Sequence, residues 1–251
     1  MLVFAQLSDL HLDGGVARAR RAEAVLRHLT SLSAPLDAVL VTGDIADHGL
    51  PAEYEQARKA LACPYPVLTC PGNHDARAAY RRVLLGEDGG TGPDAPINRV
   101  HRVGSPAKAV FALCDSTIPG HDDGRLTDET LHWLDSVLAE EPGVPAFVCF
   151  HHPPVVLHAP YVDEIRQFDE RRLADVIARH PQVVAVLCGH AHTAAATTFA
   201  GRPCLVAPAV ASTVRLAWER GDPLDHLAPP AVAFHILDDQ GRLTTHHRVI
   251  T

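Results

Sequence analysis

The stretch Cys188-Gly189-His190-Ala191-His192-Thr193 carries two imidazoles two positions apart. An extended backbone sends residues i and i+2 to the same side, so both rings can reach one site. Imidazole is the commonest nitrogen ligand of transition metals. With 17 histidines in the chain, one such pair by itself is more often a solvated surface pair than a metal site. Four more polar clusters alter that reading: Asp9-Leu10-His11, Gly43-Asp44, Gly72-Asn73-His74-Asp75 and His151-His152-Pro153-Pro154. Together they offer carboxylate, amide and imidazole groups, a set suited to Mn, Fe, Co or Zn.

Each cluster closes a short apolar run, at residues 2–7, 38–41, 67–70, 147–150 and 183–187. Buried strands of an α/β sheet read as continuous apolar runs, and ligands in such folds gather at the carboxyl ends of the strands. Five strand ends therefore predict one convergent site. Between them the spacing predicts helices over 17–32, 51–62, 127–140 and 169–180. The second opens on Pro51 and the third on Thr127 with Asp128 and Glu129 in its first turn. Further strands are expected at 109–113, 197–199, 203–207, 231–237 and 244–250. The Gly- and Pro-rich stretch 86–98 reads as a surface loop, and 155–168 as a loop over the site. The pattern predicts an α/β protein with two packed sheets flanked by helices, as one domain over 1–251 without internal repeats.

The ordered set Asp-x-His, Gly-Asp, Gly-Asn-His-Asp, His-x-Pro and Gly-His-x-His, spanning residues 9 to 192, resembles the calcineurin-like metallophosphoesterase superfamily. Ser8-Asp9-Leu10-His11-Leu12, Gly43-Asp44-Ile45-Ala46-Asp47, Pro71 to Arg77 and Phe150 to Pro154 narrow the resemblance to class III cyclic nucleotide phosphodiesterases and the related glycerophosphodiesterases. The resemblance implies a four-layer α/β/β/α sandwich of two mixed sheets. It implies two divalent or mixed-valence transition metal ions, with Mn, Fe, Zn and Co not distinguished. One would sit on Asp9, His11, Asp44 and His192, the other on Asp44, Asn73, His151 and His190. Asp44 would be the bridge, one carboxylate oxygen to each metal. A bridging hydroxide between metals about 3.5 Å apart would attack phosphorus in line.

His74 then matches the residue that contacts the phosphate and protonates the leaving alkoxide. Asp75 would orient His74 by a hydrogen bond, and Arg77 would contact a phosphate oxygen or brace the loop. His152 points at the substrate or packs behind the ligands, Asp47 is structural, and Asp163 supports the loop near the leaving group. The implied substrate is a small-molecule phosphodiester, with 3′,5′-cyclic nucleotides such as cAMP first and glycerophosphodiesters as the alternative. A phosphomonoesterase, protein phosphatase or nuclease on the same fold is a second class of reading. A non-catalytic binding module is a third, and such a module should lack a ligand or His74.

Composition bounds these readings. The chain has 251 residues, 47% of them hydrophobic and 21% charged, ordinary values for a globular domain. A net charge of −8 argues against a nucleic-acid partner. Without an apolar run of about 18 residues, no transmembrane helix or membrane partner is expected. Self-association into a homodimer or higher homo-oligomer stays open. The first ligand motif comes so early that a cleaved signal peptide would remove it, and the six cysteines read as small buried residues, so a cytoplasmic protein is expected. Cys70, Cys149 and Cys188, just before metal motifs, are the alternative candidates for a redox role.

Overall fold

A computed structural model describes residues 1–87, 92, 94–104, 106 and 108–251. Residues 88–91 and 93 of the expected surface loop lie outside the described residues. The elements run in the order β1 (Leu2–Leu7), α1 (Val16–Thr30), β2 (Ala38–Thr42), α2 (Pro51–Ala60), β3 (Val67–Cys70) and α3 (Arg77–Ala79), which winds on as π-helical turns over Tyr80–Leu85. Then come β4 (Arg99–Val103), β5 (Ala109–Leu113), α4 (Asp128–Glu140), β6 (Ala146–Cys149), α5 (Pro160–Asp163), α6 (Glu170–Arg179) and β7 (Val183–Cys188). The chain closes with β8 (Ala195–Phe199), β9 (Arg202–Val206), the two-residue strands β10 (Thr213–Val214) and β11 (Leu224–Asp225), β12 (Ala231–Leu237) and β13 (Leu243–Val249).

Two mixed sheets form. The first has the order β13-β12-β1-β2-β3, with β1, β2 and β3 parallel and the two carboxyl-terminal strands antiparallel. The second has the order β4-β5-β6-β7-β9-β8, with a parallel centre and antiparallel strands at both edges. Alternation along the strands explains the layers. Phe4, Leu40 and Leu68 face Phe111, Phe147 and Leu187 between the sheets, and the Phe4 ring lies 5.0 Å from Phe111 and 5.1 Å from Phe147. The intervening residues face outward. Leu7, Val39 and Val41 pack with Val25 and Leu29 of α1 and Tyr54 of α2. Val110, Val148 and Val186 pack with Leu134 of α4 and Ile177 of α6. Strands buried on both faces have no solvent-facing positions to alternate, which is why the sequence showed near-continuous apolar runs, interrupted by the buried Gln6 and Thr69. The result is the expected α/β/β/α sandwich.

Local chemistry sets the helix ends. The Thr127 side chain accepts from the Thr130 amide at 3.2 Å and starts α4. Pro51 opens α2, and the buried Glu53 turns back to accept from the Leu50 and His48 amides. The expected loop at 155–168 contains the short helix α5, stapled by the Leu157 amide to Asp163 Oδ1 at 2.7 Å. Within the described residues, no helix is long and apolar enough to cross a membrane.

β1, β2, β3, β6 and β7 end on one rim. Gln6, fully buried, ties that rim together: its Nε2 donates to Thr42 Oγ1 at 3.0 Å and to the Cys188 carbonyl at 2.9 Å, across from one sheet to the other. Its Oε1 accepts from Nε2 of His235 on β12.

Candidate metal centre

The turn after β1 carries Asp9 and His11, that after β2 Asp44, that after β3 Asn73 and His74. The turn after β6 carries His151, and that after β7 carries His190 and His192. Asp9, His11, Asp44, His190 and His192 all have left-handed backbone, with φ of 54°, 46°, 49°, 68° and 50°. That conformation costs a non-glycine residue of order 1–3 kcal/mol and survives only where surrounding structure enforces it. Here the turns clasp one another. The Asp9 amide donates to the Gly43 carbonyl at 3.1 Å, His11 to Asp44 and Leu12 to Ile45 at 2.9 Å each, and Ala211 to Asp9 at 3.0 Å. Gly72 has to be glycine because a Cβ there would strike the Asp44 carboxylate. The extended Gly-His-x-His backbone expected from sequence is therefore corrected. In the left-handed turn the two rings diverge, His190 toward His151 and Asn73, and His192 toward His11 and Asp9.

The ligands expected from sequence fall into two groups. Asp9, His11, Asp44 and His192 each place one such atom within 4.8 Å of the others. His11 Nε2 stands 3.0 Å from His192 Nε2, and His192 Nε2 3.5 Å from Asp9 Oδ1. In the second group Asn73 Oδ1 lies 3.1 Å from both His151 Nε2 and His190 Nδ1. Asp44 Oδ2 joins the groups, 3.4 Å from His11 Nε2 and 3.3 Å from His151 Nε2. Asp44 Oδ1 is taken by the His74 amide at 2.9 Å. The expectation of one Asp44 oxygen per metal is thereby corrected: a single oxygen faces both groups.

The hydrogen bonds behind the rings fix their tautomers. His11 Nδ1 donates to Asp47 Oδ1 at 3.0 Å, His151 Nδ1 donates to the Thr42 carbonyl at 2.7 Å, and His192 Nδ1 meets Ser212 Oγ at 2.9 Å. A carboxylate and a carbonyl can only accept, so neutral His11 and His151 turn lone pairs, not protons, toward the centre. Those lone pairs meet Asp44 Oδ2, Asn73 Oδ1 and, for His11, another imidazole nitrogen. Acceptors converging in this way without protons to share are suited to cations, and the donor set fits divalent transition metals.

In their protonated form the same imidazoles pair with the carboxylates instead, at His11–Asp44 and His151–Asp44. Burial pulls the His151 pKa down, but the Asp44 charge and hydrogen bond outweigh it and hold it at about 9. His11 is likewise raised, burial being overridden by Asp47, Asp44 and Asp9. Burial would raise Asp44, but His151 and then His11 hold it well below the usual carboxylate range. Asp47 is well below its ordinary value because His11 and Arg18 bond to it. His190 and His192 are lowered, first by burial.

His74 lies apart. Its Nδ1 donates to the Asp47 carbonyl at 2.8 Å, and its ring borders the cleft, 4.6 Å from the His11 ring. Asp75 does not orient it, and that expectation is corrected. The Asp75 carboxylate is consumed by the Ile45, Ala46 and Gly72 amides and the Tyr54 hydroxyl, clamping the β2 and β3 turns together. Burial and the Asp44 charge raise its pKa to about 6, against those backbone bonds. Arg77 braces. Its donors go to Asp115 Oδ2, the Thr117 carbonyl and the Asp94 carbonyl, at 2.8, 2.9 and 2.5 Å. His152 packs behind His190, buried, held by Ser116 Oγ and the Asp122 carbonyl. All six cysteines are free, five of them buried, and burial raises the thiols of Cys70, Cys114, Cys149 and Cys188.

A cavity of ≈ 210 Å³ opens over the cluster. Its floor is His11, Asp44, Asn73, His190 and His192. Tyr161 and Val162 of α5 and Ile165 form one apolar wall, and Val214 and Leu224 of the β10–β11 ribbon another. The ribbon is pinned to the floor, because the Val214 amide donates to the His192 carbonyl at 3.2 Å. Arg18 at the rim donates to Asp47 Oδ1 at 2.6 Å. Arg18, Ser212 and the ribbon had no motif around them in the sequence.

The family model of the calcineurin-like phosphoesterases matches residues 2–194. The chain therefore belongs to that family. It is 34% identical over 242 residues to a glycerophosphodiester phosphodiesterase of Enterobacter lignolyticus, covering 93% of this chain and 86% of the relative. It is 36% identical over 227 residues to a probable cyclic nucleotide phosphodiesterase of Rhodococcus erythropolis, covering 86% and 73%. In structure it is similar to a dimetal phosphatase from Danio rerio, with a TM-score of 0.72 over 100% of this chain and 96% of that one. At 15% identity, that likeness speaks for the fold.

Proposed function

We propose that this chain is a dinuclear-metal phosphodiesterase that hydrolyses small-molecule phosphodiesters, with 3′,5′-cyclic nucleotides as the first substrate class. The observation that carries the reading is Asp44 Oδ2 set between His11 and His151, 3.4 and 3.3 Å away, at the floor of a cleft bordered by His74. Asp9, His11, Asp44 and His192 would hold one cation, and Asp44, Asn73, His151 and His190 the other. Two bound divalent cations supply a Lewis-acid clamp for phosphate oxygens and a water nucleophile activated at neutral pH.

The chain's own groups do the rest. Asp47, the Thr42 carbonyl and Ser212 hold the imidazoles so that their ligating nitrogens face inward. Asp75 locks the turns that carry Asp44 and Asn73. His74, anchored through Nδ1–H to a carbonyl, can give the Nε2 proton of its imidazolium form to the departing oxygen. The apolar walls of Tyr161, Val162, Ile165, Val214 and Leu224 suit the organic arm of a diester more than a bare phosphate. The charge of −8 supports a small molecule over a nucleic acid, and free buried cysteines suit a reducing cytoplasm. The glycerophosphodiester alternative draws on the relative from Enterobacter lignolyticus.

The test is metal-reconstituted protein assayed on bis-p-nitrophenyl phosphate, p-nitrophenyl phosphate, cAMP and a glycerophosphodiester. Diesters should be cleaved faster than the monoester, because a dianionic monoester binds the cations strongly as a ground state. A monoester preference would move the protein to the phosphatases.

A further inference from the structure

A second cavity, of ≈ 360 Å³, shares Asn73 and His74 with the cleft over the ligand cluster. The His74 imidazole therefore borders two spaces. One wall of the second space is the start of α3, with Ala76 and Ala78, and the other is the loop from Thr117 to Gly120. Arg77 fixes their separation. From α3 it donates to the Thr117 carbonyl on the opposite wall and to the Asp94 carbonyl at the edge, while its charge is matched by buried Asp115. A guanidinium so engaged does not draw in an anion, and the exposed Asp94 at the edge adds negative charge.

A phosphodiester carries two organic arms on one phosphorus. In its hydrolysis the oxygen of water bonds to phosphorus and the P–O bond to one arm breaks. The electron pair stays on the departing oxygen, which takes a proton from the His74 imidazolium, and the proton lost by the water restores that imidazolium through solvent. A monoester and an alcohol result. The arm that departs is the one beside His74, so in an acyclic diester it extends past the imidazole, away from the apolar walls of the first cleft. A cyclic nucleotide makes no such demand, since its departing oxygen stays tied to the ribose.

We propose, building on the phosphodiesterase reading, that this second chamber is a binding site for the departing alcohol of acyclic phosphodiesters. Its charge selects neutral or cationic alcohols such as glycerol or ethanolamine. Ala78 and Ile118, on opposite walls, set its width.

The experiment compares wild type, Ala78→Phe and Ile118→Trp on sn-glycero-3-phosphoethanolamine and on cAMP. Ala78 is exposed, so the larger side chain there fills the chamber without entering the core. The expected result is a fall of about tenfold or more in kcat/KM on the acyclic diester, the scale on which pocket volume discriminates substrates, with cAMP turnover unchanged. Unchanged cAMP turnover also shows that the variant is folded. Equal losses on both substrates, or no loss on either, would overturn the chamber. A wild type that cleaves cAMP but not the acyclic diester sinks the chamber alone. A wild type that cleaves neither sinks the phosphodiesterase reading and the chamber with it.

Discussion

Asp47 is the place where one atom change should separate the two halves of the centre. Its Oδ1 accepts from His11 Nδ1 at 3.0 Å and from Arg18 Nη1 at 2.6 Å, and these bonds hold its carboxyl well below the usual carboxylate range. Asp47→Asn keeps the shape, removes the charge and leaves one oxygen to serve two donors. His11 loses basicity and orientation. Loss of such a partner behind a metal-bound histidine costs about 10- to 100-fold in metal affinity, or about 1.4–2.7 kcal/mol. The loss should fall on one site only. His151 is held by the Thr42 carbonyl, and the Asp47 atom that anchors His74 is a main-chain oxygen that the substitution keeps. Calorimetric titration of metal-free protein with Mn²⁺ or Zn²⁺ should therefore show one of two sites weakened by that factor and the other retained. Turnover should return at saturating metal. Equal weakening of both sites, or none, would refute the assignment of His11 to one half.

Two other outcomes follow from the geometry. His74→Ala should keep both metals yet lose about 10²- to 10⁴-fold in activity, the range of general acid catalysis. The loss should be larger on cAMP or a glycerophosphodiester than on bis-p-nitrophenyl phosphate, whose leaving group needs little protonation; equal losses would favour phosphate positioning instead. Burial, and after it His247, lowers the His235 pKa to about 3. The unfolded chain takes up a proton near pH 6.5 that the folded chain refuses, so this contribution to stability is complete above pH 6.5 and shrinks as pH falls toward 3. Between pH 6.5 and 5 wild type should lose about 1.6 kcal/mol more in urea denaturation than His235→Phe; parallel pH profiles would show that His235 titrates normally.

The five ligand turns were legible because each sits at the end of an apolar run. The helices were legible because Pro51 and Thr127 mark their starts. β4 escaped because Arg99-Val-His-Arg-Val is an edge strand whose polar residues leave no continuous apolar run, and β10 and β11 because two residues have no period. The Gly-His-x-His pair was identified with the wrong backbone. Its left-handed φ values are imposed by clasping turns from distant strands, and no local propensity reports that. Asp75 stands beside His74 in sequence yet turns to four donors from elsewhere, so adjacency misled. Ser212 and the Thr42 carbonyl carry no chemical signature until the fold sets them behind His192 and His151.

Metal stoichiometry of Asp44→Asn tests the centre most directly. Asp44 Oδ2 lies within 3.4 Å of imidazoles from both groups, and the substitution removes a charge that both cations would share. Purified wild type should bind two metal equivalents, and the variant should be depleted in both, with hydrolysis greatly reduced. Two tightly held equivalents with unchanged turnover would contradict a centre built around Asp44.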